Sequence, residues 1–309
     1  MSGWQLRLSL VAAAVGWGSA TTATKFALDG FGPVTMLVVK LAAATAVLWA
    51  VLLLRRARPA PRKWRLALLG LFEPALAYGG LTVGLIYTSA TNASLLGVTE
   101  SCFVLILAAA FLRERIRSRA LLGLVLAIAG VLALDGGNLG TGFNLGDLVI
   151  VGGSIAAAVY VTLAAKVAPT VDAVTMTTYQ FTFATALVLP LAVVPWLTGR
   201  EPLPTQVAGQ YWLAAVFVGG VCFALSFLLY NRAIRDVPAG TAGVILNLVP
   251  VIGVLTAVVF LREVLTIWHL AGAVLVVAGI MLFPTTKQKA VQTGPAPEPA
   301  SRLLGSVQR

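Results

Sequence analysis

Ten long apolar stretches alternate with short polar breaks along the chain. They run over Leu8–Leu28, Pro33–Leu54, Leu66–Ile86, Ala93–Leu112, Ala120–Leu134, Leu148–Ala165, Val174–Trp196, Tyr211–Tyr230, Gly240–Leu261 and Leu270–Phe283. A helix needs about 20 apolar residues to cross a bilayer, so each stretch reads as a spanning helix, the fifth and tenth being short. The first follows a single Arg7, with no small-residue cleavage site leading into a soluble chain, and reads as a span, not a cleaved leader. The last residues, 284–309, contain Pro, Gln and Lys, lack a spanning pattern and are expected to form a cytoplasmic disordered tail.

The polar breaks are not equivalent. With the amino terminus inside and the spans alternating, 18 of the 22 basic residues fall on inner segments. The run from Arg55 to Arg65 and the set Arg113, Arg115, Arg117 and Arg119 dominate that count. Only Lys25, Arg200 and Arg262 fall on outer segments. The excess of Lys and Arg on one side predicts both termini in the cytoplasm. Trp64 at the inner face, and Trp196, Tyr211, Trp212 and Trp268 at the outer face, sit where interfacial anchors belong.

The chain repeats itself. Phe111-Leu112-Arg113-Glu114 recurs as Phe260-Leu261-Arg262-Glu263, and the same offset carries Gly123 onto Gly272 and Gly130 onto Gly279. Earlier in each half, Val34-Thr35-Met36 matches Val174-Thr175-Met176, and Ala44-Thr45-Ala46 matches Ala184-Thr185-Ala186. Five spans per half is an odd number, so the second half enters the membrane upside down. Inverted repeats are a device of secondary transporters, with the substrate path between the halves. The expected units are residues 8–134 and 148–283.

Composition removes the alternatives. Of 309 residues, 59% are hydrophobic and 11% charged. Mean hydropathy is +0.93. A water-soluble globule has no means of covering that much apolar surface, and a disordered chain is not this apolar. The net charge of +11 is therefore an orientation signal and a site for anionic lipid at the inner face, with no nucleic-acid partner implied. Cys102 and Cys222 lie inside apolar runs and read as small core residues. His269 is the lone histidine, so no metal cluster or Ser–His–Asp constellation can be assembled around it. No phosphate-binding glycine loop is present, and no cofactor is expected.

Two five-span halves, each with Phe-Leu-Arg-Glu closing its fourth span, resemble the EamA type of the drug/metabolite transporter superfamily. Gly16-Trp17-Gly18-Ser19, Tyr87-Thr88-Ser89-Ala90, Ala239-Gly240-Thr241-Ala242 and Pro250 fit the same pattern. The likeness spans about Leu8–Phe283. It implies an all-α integral membrane fold of ten transmembrane helices, two inverted five-helix repeats around a central cavity. It also implies a bacterial inner-membrane location and export of small metabolites or amino acids. A homodimer stays open. One departure stands out: Ser101 occupies the place that Pro250 holds in the second half, so a helix-bending proline is missing there.

Charges inside spans are costly and read as functional. Lys40, Glu73 and Glu100 are the three. Lys40 and Glu100 lie at similar depth and are expected to pair; the alternative role for Glu73 and Glu100 is a protonatable carboxylate facing the cavity. Pro74 should interrupt the helix beside Glu73. Trp17, Ser19, Thr22, Tyr78, Tyr160, Gln180 and Asn247 are candidates for substrate contact, or else for hydrogen bonds between helices. Tyr78, five residues after Glu73, should lie about 140° away round a regular helix. Gly79-Gly80, Gly152-Gly153 and Gly219-Gly220 read as sites of close helix approach. A channel would carry a charged ring or selectivity loop, and an integral-membrane enzyme a cluster of acids, His or metal ligands; neither is visible.

Overall fold

The computed structural model describes residues 3–55, 63–112, 118–134, 144–167, 172–233, 237, 241 and 245–282. The tail over 284–309, the loop positions 135–143, Arg56, Arg58, Arg62, Arg113, Glu114, Arg115, Arg117, Arg235, Ala239, Gly240 and Ala242 lie outside the described residues. Among the described residues every regular element is helical. In chain order they are α1 (Gly3–Ala27), α2 (Pro33–Leu54), α3 (Lys63–Leu68), α4 (Ala77–Gly84), α5 (Ala90–Leu96), α6 (Thr99–Leu112) and α7 (Ser118–Leu134). There follow α8 (Leu145–Val167), α9 (Ala173–Leu197), α10 (Gly209–Phe217), α11 (Ser226–Ala233), α12 (Leu248–Leu261) and α13 (Ile267–Met281).

Local chemistry sets the ends. Pro33 opens α2 at a position where a missing N–H costs nothing. Ser89 caps α5 by accepting from the Asn92 amide at 3.0 Å, and Asp172 caps α9 through the Thr175 amide at 3.1 Å. Among the described residues, six helical stretches are long and apolar enough to cross a membrane, including Pro33–Leu54, Leu66–Gly84, Leu145–Ala164 and Gly209–Ala233. Ser118–Ala133, Leu248–Leu261 and Ile267–Gly279 are shorter apolar helices. Large apolar side chains stay exposed along α9 (Leu189, Leu191, Val194) and α12 (Leu255, Val259, Phe260), surfaces suited to lipid.

Three interruptions shape the interior, one of them a π stretch over Val218–Leu225 between α10 and α11. Between α3 and α4 the chain passes through a 3-10 turn and a π turn, Phe72–Leu76, and Glu73 itself is extended (φ −139°, ψ 122°). Pro74 is the cause, as expected: it has no N–H to give and cannot continue the helix. The second break divides α5 from α6 at Gly97 and Val98. The missing proline at Ser101 therefore does not leave this segment one unbroken α-helix. Thr99 instead turns its hydroxyl onto the Leu96 carbonyl at 2.7 Å, a local bond that competes with the helical ladder.

The helices pack in a set of pairs: α2 against α9, α7 against α13, α1 against α12 and α11, and α8 against α4 and α6. Thr45 and Thr185 meet hydroxyl to hydroxyl at 3.0 Å between α2 and α9. Thr22 and Thr256 do so at 2.8 Å between α1 and α12. The α7–α13 contact is close enough that a Cβ on Gly130 would lie 2.8 Å from the Gly272 oxygen, and one on Gly279 would lie 2.8 Å from the Ala127 nitrogen. Gly80 and Gly153 let α4 and α8 approach, and Gly219 admits the α2 backbone, but Gly152 faces open space and does not serve packing.

Candidate functional site

The interruption at Phe72–Leu76 decides what meets at the centre. Glu73 is extended and the helix resumes after Pro74, so the regular step of about 100° per residue does not hold between Glu73 and Tyr78. Glu73 and Tyr78 are five apart, and the Tyr78 side chain lies beside the Glu73 carboxylate, within its electrostatic reach. The 140° separation expected of a regular helix is thus removed by the break itself. Glu100, from the start of α6, lies within electrostatic reach of both, and so does Tyr160 of α8 with respect to both carboxylates. Tyr160 donates to the Gln180 side-chain oxygen at 3.2 Å. The Gln180 amide nitrogen is buried and makes no further bond. Glu73, Tyr78, Glu100 and Tyr160 each keep part of their surface accessible, while Gln180 is buried.

An aromatic wall adjoins these polar groups. Tyr78 stacks on Phe223 with centroids 4.3 Å apart and planes inclined by 21°. Phe181 touches Phe223 and Phe227, and Phe227 meets Trp17 edge-on at 5.1 Å. Tyr230 stands 5.4 Å from Trp17. Phe223, Phe227 and Tyr230 were not singled out from the sequence, although their spacing of four and three residues places them on one helical face.

Lys40 occupies a different position from the one expected. It does not pair with Glu100. Its ammonium donates to the Thr82 hydroxyl at 2.6 Å and sits 5.6 Å from the centroid of the Phe223 ring. α2 turns Lys40 toward Thr82 of α4, whereas Glu100 lies within electrostatic reach of Glu73. Equal depth fixes nothing about rotation round the helix axis. Thr82 in turn bonds the Tyr78 carbonyl, so Lys40 is linked to the central cluster through backbone and ring contacts.

The remaining candidates are more peripheral. Ser19 bonds the Val15 carbonyl of its own helix at 2.8 Å, and Thr22 serves the α1–α12 contact. Asn247 stands half-buried at the start of α12 and makes no side-chain cap bond. Cys102 and Cys222 are free and buried. Among the described residues no group of three His, Cys, Asp or Glu is placed to hold a metal. Three further charged residues, Lys25 in the last turn of α1, Glu201 and Glu263, prove to be bonded across helices. Lys25 had served only to set topology, Glu263 only to mark the repeat, and Glu201 had drawn no attention in the sequence.

The sequence model of the EamA-like transporter family matches residues 7–134 and again residues 144–284. An "Uncharacterized transporter YetK" of Bacillus subtilis (strain 168) is 30% identical over 224 residues, which is 71% of this chain and 66% of that protein. An "Uncharacterized transporter" of Archaeoglobus fulgidus is 28% identical over 86% of this chain and 94% of its own length. A protein of Streptantibioticus cattleyicolor named "Probable terminal-alkyne amino-acid exporter" is 27% identical over 89% of this chain and 91% of its own. A crystal structure of another protein superposes with a TM-score of 0.64 at 19% identity, covering 90% of this chain and 96% of that one, which shows a shared fold. The chain is a multi-pass membrane protein and belongs to the EamA-like transporter family.

Proposed function

We propose that the chain is a secondary carrier that exports small neutral or amphipathic metabolites, amino acids among them, across the bacterial inner membrane by alternating access, coupled to protons. The observation that carries this reading is that Glu73 and Glu100 lie within electrostatic reach of each other and of Tyr78 and Tyr160, with Gln180 bonded to Tyr160 and an aromatic wall stacked on Tyr78. Carboxylates take up and release protons, aromatic faces accept apolar groups, and buried amide and hydroxyl groups orient a polar end. The exporter name borne by the S. cattleyicolor relative supports amino acids as a substrate class.

The proposed architecture is ten spans in two inverted five-helix units, 8–134 and 148–283, with both termini cytoplasmic and anionic lipid against the basic inner segments. It is supported by the double family match and by the packing of α2 on α9 and α7 on α13, helices at corresponding positions of the two units.

Proteoliposomes loaded with a panel of amino acids and amphipathic amines test the carrier. Saturable counterflow is expected for at least one; its absence for every compound refutes the reading. Glu73→Gln and Glu100→Gln are expected to abolish accumulation driven by a pH gradient. If both variants keep it, the coupling role is wrong.

A further inference from the structure

At one end of the bundle, side chains reach from one helical segment to the terminus of another. Glu201, in the turn after α9, accepts from the Val34 and Thr35 amides at 3.0 and 2.9 Å and from the Thr35 hydroxyl at 2.6 Å. Trp196 adds a bond to the same hydroxyl at 2.8 Å. Lys25, in the last turn of α1, donates to the carbonyls of Leu85 and Thr88 beyond the end of α4. Glu263, just past α12, accepts from the Ala90 and Thr91 amides at 2.7 and 2.8 Å, and His269 meets the Asn92 oxygen at 3.0 Å. Arg262 makes the Glu263 contact possible by ending α12 in the left-handed region (φ 55°, ψ 32°), which reverses the chain.

Lys25, Gly32, Pro33, Leu85 and Pro202 line a recess of about 480 Å³, which joins the Lys25 tie to the start of α2 held by Glu201; the Glu263 tie adjoins the Lys25 tie through the short stretch from Thr88 to Ala90. Each charge also matches the helix end it holds: carboxylates take the free N–H groups at the start of α2 and α5, and an ammonium takes the free carbonyls after α4. The sequence of contacts runs from the α9–α10 connection to α2, through α1 to the end of α4, and through the start of α5 to the α12–α13 connection. Every junction crosses between segments far apart in the chain.

We propose that Lys25, Glu201 and Glu263 form one releasable clasp that holds this end of the bundle shut, as positioning residues in the transport cycle. The held segments are the ones that matter at the centre. Glu201 fixes the start of α2, which carries Lys40; Glu263 fixes α5, whose continuation α6 carries Glu100. Opening this end therefore requires letting go of the two helices that bring those groups to the interior. The clasp rests on the carrier reading for its purpose, but its cooperativity is measurable without any substrate.

Hydrogen–deuterium exchange of the full chain in lipid nanodiscs provides the test. If the ties act as one clasp, Glu263→Gln raises exchange at its own amides, Ala90 and Thr91, and also at least tenfold at Val34 and Thr35. Glu201→Gln does the converse. Ser89→Ala, which removes the local cap of α5 without touching a second segment, changes only the region 90–93. Should a glutamine variant fail to fold, Thr35→Val weakens the Glu201 tie while keeping every charge, and must still raise exchange at Ala90 and Thr91. Unchanged exchange at Val34 and Thr35 in Glu263→Gln would overturn the proposal and reduce the ties to independent helix caps. If counterflow fails for every compound while exchange stays coupled, the clasp stands and the carrier reading falls.

Discussion

Replacing Lys40 by methionine separates a structural lysine from a working one. The side chain is 0% exposed and begins seven residues after Pro33, the first residue of α2, about 10 Å along the helix. Placing a lysine at the centre of a spanning helix costs about 2.5–3.5 kcal/mol on insertion scales. The fold returns little of this. The bond to Thr82 at 2.6 Å is worth about 0.6 kcal/mol in a membrane bundle. The position over Phe223 adds about 0.5–2 kcal/mol. Neither Glu73 nor Glu100 neutralises the ammonium, so the balance is a deficit of about 1 kcal/mol. Methionine matches the stem in length and flexibility and carries no charge. Lys40→Met should therefore fold and resist SDS-induced unfolding in mixed micelles by about 1 kcal/mol more than the parent chain, while substrate counterflow drops at least tenfold. A variant that loses 1 kcal/mol or more would refute this reasoning and make Lys40 a structural anchor. A variant that keeps full counterflow would refute its role in transport.

Other substitutions probe separate joints of the structure. Gly279→Leu forces a side chain into the α7–α13 contact, where a Cβ already falls 2.8 Å from the Ala127 nitrogen, and should cost about 1–3 kcal/mol in the same unfolding assay. Gly152→Ala meets nothing within 4 Å and should leave stability unchanged or slightly raised. Asp172→Ala removes the cap that accepts from Thr175 and should lower stability by about 1 kcal/mol, with a rise in exchange confined to the first turn of α9. Gly199→Ala places a Cβ at φ +67° in the turn after α9 and should cost about 1 kcal/mol, again read by SDS unfolding.

How much was legible varied with the kind of question. The apolar period gave α2 as Pro33–Leu54 to the residue, because hydropathy and a proline boundary act locally. Pro74 announced the break beside Glu73 for the same reason. What the break does was not legible: the extended backbone at Glu73 changes its direction relative to Tyr78, and no rule of 3.6 residues per turn anticipates it. Lys40 and Glu100 illustrate the complementary limit. Depth along a helix follows from counting residues, but the facing direction depends on how each helix rolls in its packed site. Glu201 and Glu263 were hardest to assign. A carboxylate in a connecting loop has the same sequence appearance whether water surrounds it or a helix terminus 166 or 173 residues away does. The double Phe-Leu-Arg-Glu gave the position of Glu263 without its partner.

The glycine contact between α7 and α13 bears on how such a molecule can move. Under the proposed repeat, exchanging the two halves converts one end-state into the other. That exchange sends Gly130 to Gly279 and Gly272 to Gly123, so this contact is carried onto itself. It is consequently the same joint whichever end is open, and nothing in the cycle requires it to come apart. Glu201, by contrast, has no counterpart of like charge at the offsets that relate the halves, Pro61 and Leu52 standing there. The bundle thus combines a stationary axle, built from backbone contact, with a lopsided lock, built from charge. The two directions of motion about that axle need not be equally hard.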